Sequence, residues 1–347
     1  MTAKEPVDPS AIRTLVGLVP TPAIQLAIRF PSPAKRAEFI RDLSSISLKT
    51  GVVGHYDLSN TLSPENTLRV WELLLGKHGF YSAAEFDPAH KEMNLREACL
   101  RKVESIRRLL VTSGVTPNKD TTFADLGCGW GSMIEGALTW GISPRNITAM
   151  TTSPHQINFL SNCSTFEGVH VVNHDIIEGD LPQEQHDVVL TIGGVEHTPP
   201  ERMKEVFESW ASSLKPGGRM VLEFFCDNPD SPLVAYDHPG ISQTSLLAQL
   251  IFTGATVRAA SHYEKAWTDA GLKAFPETYQ KLPPYFYART MRAWADNLES
   301  HKQEVLAMSG GLGVWNHMMT YLVLGEWVFA NEMFETRRVV LTRASEH

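Results

Sequence analysis

Basic charge, paired cysteines and long apolar runs are all scarce in this 347-residue chain. Its 31 Lys and Arg stand against 39 Asp and Glu, a net charge of −8. That balance argues against a nucleic-acid partner, which needs a broad basic surface, though it leaves room for a local basic pocket. The four cysteines (Cys99, Cys128, Cys163, Cys226) are scattered and form no C-x-x-C pair. Such spacing suits neither a zinc site nor a disulfide framework, so no metal is expected and a reducing, cytoplasmic setting is the default. The first residues, MTAKEPVDPS, lack the charged and apolar regions of a secretory signal. The most apolar early stretch, LVGLVPTPAIQLAI (Leu15–Ile28), is too short to span a membrane and is broken by Pro20 and Pro22. No stable membrane span is expected. That stretch reads as a helix pair packing on the body, with a flap over an apolar substrate or a membrane as the alternative. No repeat or low-complexity tract occurs, and the sequence leaves a homo-oligomer open.

What is present is ordinary for a globular protein: 43% hydrophobic and 20% charged residues, enough for one large domain or two modest ones. Residues 94–110 place Leu95, Cys99, Val103, Ile106 and Leu110 on one helical face. From 121 the period changes. TTFADLGCG, NITAMTTS, VHVVNHD, HDVVLTIGG and GGRMVLEFF read as short strands separated by helical segments. One of those helices sets Met203, Val206, Phe207, Trp210 and Leu214 on one face. Strands alternating with helices predict a parallel sheet covered on both sides, an α/β fold. Ser153 is placed to cap a helix, with Pro154 in its first turn and Gln156 closing a capping box. LKPGG (Leu214–Gly218) reads as a helix stop leading into the fifth strand. Residues 227–333 are helical and rich in aromatics, and FETRRVVLTRA reads as a last strand. The expected division is therefore an N-terminal helical segment that also covers a cofactor (1–115), a Rossmann-like cofactor-binding core (116–226), a helical substrate lid inserted after it (227–333) and the final strand of the core sheet (334–347).

In FADLGCGWGSM, Asp125 ends a strand and is followed by Gly127, Gly129 and Gly131. Glycines here let the backbone turn tightly and approach a ligand at a helix N-terminus. A glycine loop alone also fits dinucleotide binding. Here, however, the spacing is G-x-G-x-G, and the second strand ends in TTS rather than in the acid that binds an NAD ribose.

The loop resembles motif I of the Rossmann-like S-adenosylmethionine-dependent methyltransferases. Further segments resemble one branch of these, the cyclopropane-fatty-acid-synthase-like enzymes. They are GHYDLSN (Gly54–Asn60), TTSPHQ, VEHTPP, LIFTGATVRAAS and YARTMRAWADNLESHKQEVL, in order across 54–343. The resemblance implies a seven-stranded sheet with its last strand antiparallel. It implies methyl transfer from S-adenosylmethionine to a small hydrophobic substrate. By position it assigns the cofactor to Tyr56, Asp125, Gly127, Gly129, Gly131, Thr151, Ser153, Gln156, Asp175, Ile176 and Ile192. For Asp175 a plain turn role after the third strand is an equal alternative.

Members of this branch that close a cyclopropane ring hold a bicarbonate base with a Cys in Tyr-Ser-Cys, the Glu of Glu-His, a fifth-strand His and a late Tyr. Here Ala83 replaces the Cys and Glu223 the His, while Glu196 and Tyr321 remain. An anion beside two carboxylates is electrostatically poor, so bicarbonate is not expected as a cofactor, nor a cyclopropane as product. The resemblance then points to Glu196, His197, Glu223 and Tyr321 as catalytic residues. The expected reaction is methylation of an alkene carbon through a carbocation, with a carboxylate as base. N-methylation of a hydrophobic amine by the Glu-His pair is the alternative, O-methylation with His197 as base comes third, and a non-catalytic cofactor-binding protein is an alternative of another class. Tyr285, Phe286, Tyr287, Trp294, Trp315 and Trp327 could flank a cation, although packing is the better account of any one ring. Arg289 and Arg292 could meet an anionic head group, or could simply be solvated.

Overall fold

The computed structural model describes residues 58, 61–76, 79–230, 236–238, 241–242 and 257–343. Leu15–Ile28, Tyr56 and most of LIFTGATVRAAS lie outside them. In chain order the described helices are α1 (Pro64–Leu75), α2 (Leu95–Thr112), α3 (Ser132–Thr139), α4 (Pro154–Asn162), α5 (Met203–Ser212), α6 (Ala260–Asp269), α7 (Pro284–Ser300), α8 (Lys302–Ala307) and α9 (Gly311–Ala330). The strands are β1 (Phe123–Leu126), β2 (Ile147–Thr151), β3 (His170–Asn173), β4 (His186–Ile192), β5 (Leu214–Asp227), β6 (Tyr236–His238), β7 (Ile241–Ser242), β8 (Leu272–Ala274), β9 (Gln280–Leu282) and β10 (Phe334–Arg343).

Two compact units result. Among the described residues, the sheet unit comprises 79–226, 259–286 and 335–343, and the helical unit takes those within 58–76, 227–258 and 287–334. These units cut across the expected linear division in two places. α2 belongs with the sheet and not with an N-terminal segment. Residues 259–286 also belong with the sheet, because β8 and β9 hydrogen-bond to β10 and α6 packs in the same core as α5.

The five strands read from the sequence form the parallel run β3-β2-β1-β4-β5. β10 lies next to β5, and β8 and β9 pair antiparallel with successive parts of it. The seven expected strands become eight because two short strands, parted by a turn at Pro276–Thr278, share one edge of β10. The chain order reverses between β2-β1 and β1-β4, so the ligand crevice of such a sheet falls at the C-terminal ends of β1 and β4.

Side chains alternate along β5. Met220, Leu222 and Phe224 join Met203, Val206, Phe207 and Trp210 of α5 and Tyr263 and Trp267 of α6 in one core. On α2 the expected face is buried at Cys99, Val103, Ile106 and Leu110, while Leu95 in the first turn is only half-buried. A capping box starts that helix, Asn94 Oδ1 accepting from the Glu97 N–H while Glu97 accepts from that of Asn94. The same face also buries Lys102 completely, which the apolar pattern did not predict.

In the helical unit, α9 is buried along most of its length. Tyr287 stacks on Phe329 at 4.2 Å. Trp294 and Trp315 are fully buried, and Trp315 lies 5.0 Å from the Lys302 ammonium. Tyr287, Trp294 and Trp315 are thus packed within this unit, and the face of Trp315 is occupied by a lysine. Arg292 pairs with Glu326 at 2.9 Å and stays partly exposed. No described helix is long and apolar enough to cross a membrane.

Candidate active site

The glycine loop leaves β1 and is tied to β2, the N–H groups of Gly127 and Cys128 both donating to the Met150 carbonyl. Gly127, Gly129 and Gly131 all have positive φ, at 80°, 54° and 82°. A Cβ on Gly129 would meet no described residue within 4 Å. Among the described residues no side chain caps the N-terminus of α3, so its first N–H groups are placed to meet a carboxylate. This cradle fits the amino-acid half of S-adenosylmethionine. Asp125 is buried in the strand below, and burial pushes its carboxyl up to about 7.

Gly131 is needed for packing as well as for its backbone angle. A Cβ there would lie 2.6 Å from Leu160 Cδ2 and 2.8 Å from Phe166 Cζ. Gly131→Ala is therefore expected to cost about 2 kcal/mol, read as a lowered midpoint in denaturant with the slope unchanged.

Beyond β2, Ser153 caps α4 as expected, with Pro154 in the first turn. The capping box, however, is only half made. Gln156 accepts from the Thr151 hydroxyl at 2.6 Å instead of reaching back to the cap, so Thr151, Ser153 and Gln156 form one polar corner. After β3, Asp175 Oδ1 accepts from the N–H groups of Ile177 and Glu178, the turn role weighed for it. The Trp210 indole donates to the Ile176 carbonyl at 2.8 Å. Ile176 Cδ1 lies 3.7 Å from where a Cβ of Gly127 would be, and 3.5 Å from that of Gly194. The loops after β1, β3 and β4 thus converge, with Ile192 ending β4 beside Glu223 of β5.

The chain after β4 makes a single tight turn, Val195–His197. Glu196 on it is fully buried. Its Oε1 accepts from the Phe225 N–H at 2.7 Å, and its buried Oε2 has no partner among the described residues. Burial above all, with a smaller push from the Glu223 charge, raises its carboxyl to about 8. His197 is half-buried, and burial lowers its pKa so that the neutral ring is favoured.

Glu223 departs from the expectation of a second free carboxylate. Its Oε1 accepts from Lys102 at 2.6 Å and its Oε2 from Arg338 Nε at 2.8 Å. Arg338 also donates to Glu85 at 2.6 Å and to Ser105, and Lys102 to Ser82 at 2.8 Å. Lys102 and Arg338 outweigh burial and hold Glu223 below the usual carboxylate range. Two cations thus balance two carboxylates. Glu223 is neither available as a base nor an unopposed charge, so the electrostatic reason given against bicarbonate fails. Sequence reasoning missed Lys102, Glu85 and Arg338, whose only signal was charge within apolar runs.

Tyr321 lies buried on α9 of the helical unit; Arg289 is on α7 and is half-buried. Tyr56 lies outside the described residues.

The sheet order, the glycine cradle and the three converging loops define a methyltransferase that uses S-adenosylmethionine. The family model described as mycolic acid cyclopropane synthetase matches residues 45–339, and the chain belongs to that family. Cyclopropane mycolic acid synthase MmaA2 of Mycobacterium tuberculosis is 26% identical over 280 residues, covering 78% of this chain and 89% of the relative. Mycolic acid cyclopropane synthase CmaA1, solved with SAH and CTAB, has a similar fold: TM-score 0.65 at 21% identity, over 80% of this chain and 95% of that one. So does coclaurine N-methyltransferase bound to N-methylheliamine and SAH, with TM-score 0.68 at 15% identity, over 97% of this chain and 96% of that one.

Proposed function

We propose that this methyltransferase acts on an alkene carbon of a small hydrophobic substrate, such as a lipid or isoprenoid, and leaves a methylated alkene rather than a cyclopropane. The observation that carries the reading is Glu196, a fully buried carboxyl with one oxygen fixed by the Phe225 N–H and the other without a partner among the described residues. S-adenosylmethionine supplies an electrophilic methyl group whose C–S bond breaks with its electron pair left on sulfur. Gly127, Gly129, Gly131 and the corner of Thr151, Ser153 and Gln156 would hold it.

The alkene π pair forms the new C–C bond and leaves a carbocation. Ionised Glu196 stabilises that charge in a water-poor site and takes the proton from the neighbouring carbon at Oε2. The C–H electron pair then restores the alkene. Bicarbonate is still not expected, now on geometry: Ala83 offers no polar group, and both oxygens of Glu223 are engaged. Turnover of the purified enzyme should not respond to added bicarbonate.

Methyl-deuterated cofactor with extracts of the source organism, read by mass spectrometry, tests the reading. The expected product keeps three deuteriums on a carbon. Two deuteriums would mean ring closure and overturn it. Three on nitrogen would establish instead N-methylation of a hydrophobic amine, for which neutral His197 beside Glu196 supplies a second proton acceptor. The rate should also depend on pH. Because the raised carboxyl must lose its proton to act, kcat/KM should climb with pH through an acid limb near 8 and level off above it.

A further inference from the structure

The chain reaches Glu196 through two adjacent glycines whose requirements differ. Gly193 has a φ of 66°, an angle that glycine takes freely, and a Cβ on it would meet no described residue within 4 Å. Gly194 is the reverse. Its φ of −103° and ψ of −35° lie on the right-handed helical side, open to any residue. A Cβ there, however, would lie 2.6 Å from the Thr191 hydroxyl oxygen. Its next neighbours, Ile176 Cδ1 at 3.5 Å and the Leu126 carbonyl at 3.8 Å, are at ordinary contact distance. We propose that Gly194 is a positioning residue for Glu196: lacking a side chain, it lets the turn after β4 close down onto Thr191, and that closure sets where Glu196 Oε2 stands. This rests on the proton-accepting role given to Glu196 above.

Thr191 acts here by its bulk. It is fully buried on β4, its branched Cβ restricts χ1, and its Oγ1 has no hydrogen-bond partner among the described residues. The hydroxyl is therefore not tying the turn down but standing under it. The turn has little slack on either side. Upstream, the Gly193 N–H donates to the Glu223 carbonyl at 2.9 Å. Downstream, Val195 is fully buried in the core with Leu126 and Val189, and the Thr198 N–H donates to the Val195 carbonyl at 3.0 Å. A side chain at 194 has to lift the turn off Thr191. Glu196 rises with it, and its bond to the Phe225 N–H, 2.7 Å long and made across to β5, is the one placed to stretch. Oε2 moves by the same displacement, and about 1 Å at a reacting group can cost roughly a hundredfold in rate. Gly127 and the corner of Thr151, Ser153 and Gln156 stand on other loops, so the cofactor's cradle stays as it is.

Two readouts test this in Gly194→Ala and in the same change combined with Thr191→Ala. One is the Phe225 amide signal of ¹⁵N-phenylalanine-labelled protein, assigned as the signal missing from Phe225→Leu. The other is methyl transfer from methyl-deuterated S-adenosylmethionine to extracts of the source organism, set beside the cofactor's affinity by calorimetry. Gly194→Ala should shift the Phe225 signal and lower the maximal rate about tenfold or more while the cofactor's affinity holds. Thr191→Ala removes the obstacle and should restore both, measured against Thr191→Ala alone. Thr191→Ser, whose hydroxyl turns more freely, should restore part, and Thr191→Val, which keeps the bulk, none. A merely destabilised fold would lose cofactor binding and rate together. A Phe225 signal that stays in place in Gly194→Ala, or that moves and is not restored by Thr191→Ala, overturns the proposal. Should Gly194→Ala be insoluble, the double variant decides: a soluble protein with the Phe225 signal in place supports the proposal, and an insoluble one overturns it. If the signal moves and returns while the rate never changes, the placement of the turn by Gly194 stands and the catalytic reading of Glu196 fails instead.

Discussion

Glu196→Gln should bind the cofactor normally and lose about two orders of magnitude or more in turnover. The amide keeps the shape of the side chain and its acceptor oxygen for the Phe225 N–H, so the turn after β4 stays in place. What it cannot do is take a proton. Calorimetric titration with the cofactor, set beside single-turnover methyl transfer, separates the two. Near-normal turnover would sink the role given to this residue. The same change should stabilise the fold. The folded carboxyl titrates at about 8 against an ordinary 4.5. Between those values the unfolded chain is ionised while the folded one keeps its proton. The contribution of Glu196 to stability is therefore complete below the lower value and is lost as pH rises through the upper one. Glu196→Gln should remove that decline, and the gap between the two proteins in chemical denaturation should widen from pH 5 to pH 8.

Lys102→Met is the second large effect, with the opposite sign on stability. Methionine fills the space of the lysine stem on the buried face of α2 but leaves Glu223 with one cation and Ser82 without its donor. Breaking a fully buried ion pair from one side costs about 3–5 kcal/mol, because the remaining charge is left uncompensated. Replacing Lys102, Glu223, Arg338 and Glu85 together with apolar residues of similar volume should cost far less. Urea titration of both variants checks this. A single variant as stable as the parent would show that the cluster is solvated.

Most of the sheet was legible in the sequence because its signals are local. The strands β1 to β5 show as short apolar runs, and the glycine spacing marks the ligand end of β1. The start of α4 is written in Ser153 and Pro154. The misread features depend on partners distant in sequence. Lys102 sits among the apolar positions of α2, and nothing within that helix says that its charge is matched by Glu223, 121 residues later. Read alone, Glu223 looked like a second base, and only the strand pairing of β10 brings Arg338 to it. Residues 259–286 looked like part of a lid for the same reason. Their strands are three residues each, too short for a periodic signal, and they are strands only because β10 lies alongside. Gln156 missed its capping role because the Thr151 hydroxyl, one strand end away, competed for it.

The ion cluster also has a consequence for synthesis. Glu223 and Arg338 are 115 residues apart, so at usual translation speeds roughly 6–23 s separate their appearance at the ribosome. For that interval the sheet lacks β10, and the nascent chain carries a hydrophobic strand edge at β5 next to an acid whose second counter-ion does not yet exist. A half-made chain is thus held open both by an unpaired edge and by a charge that resists burial, and docking of β10 relieves both at once.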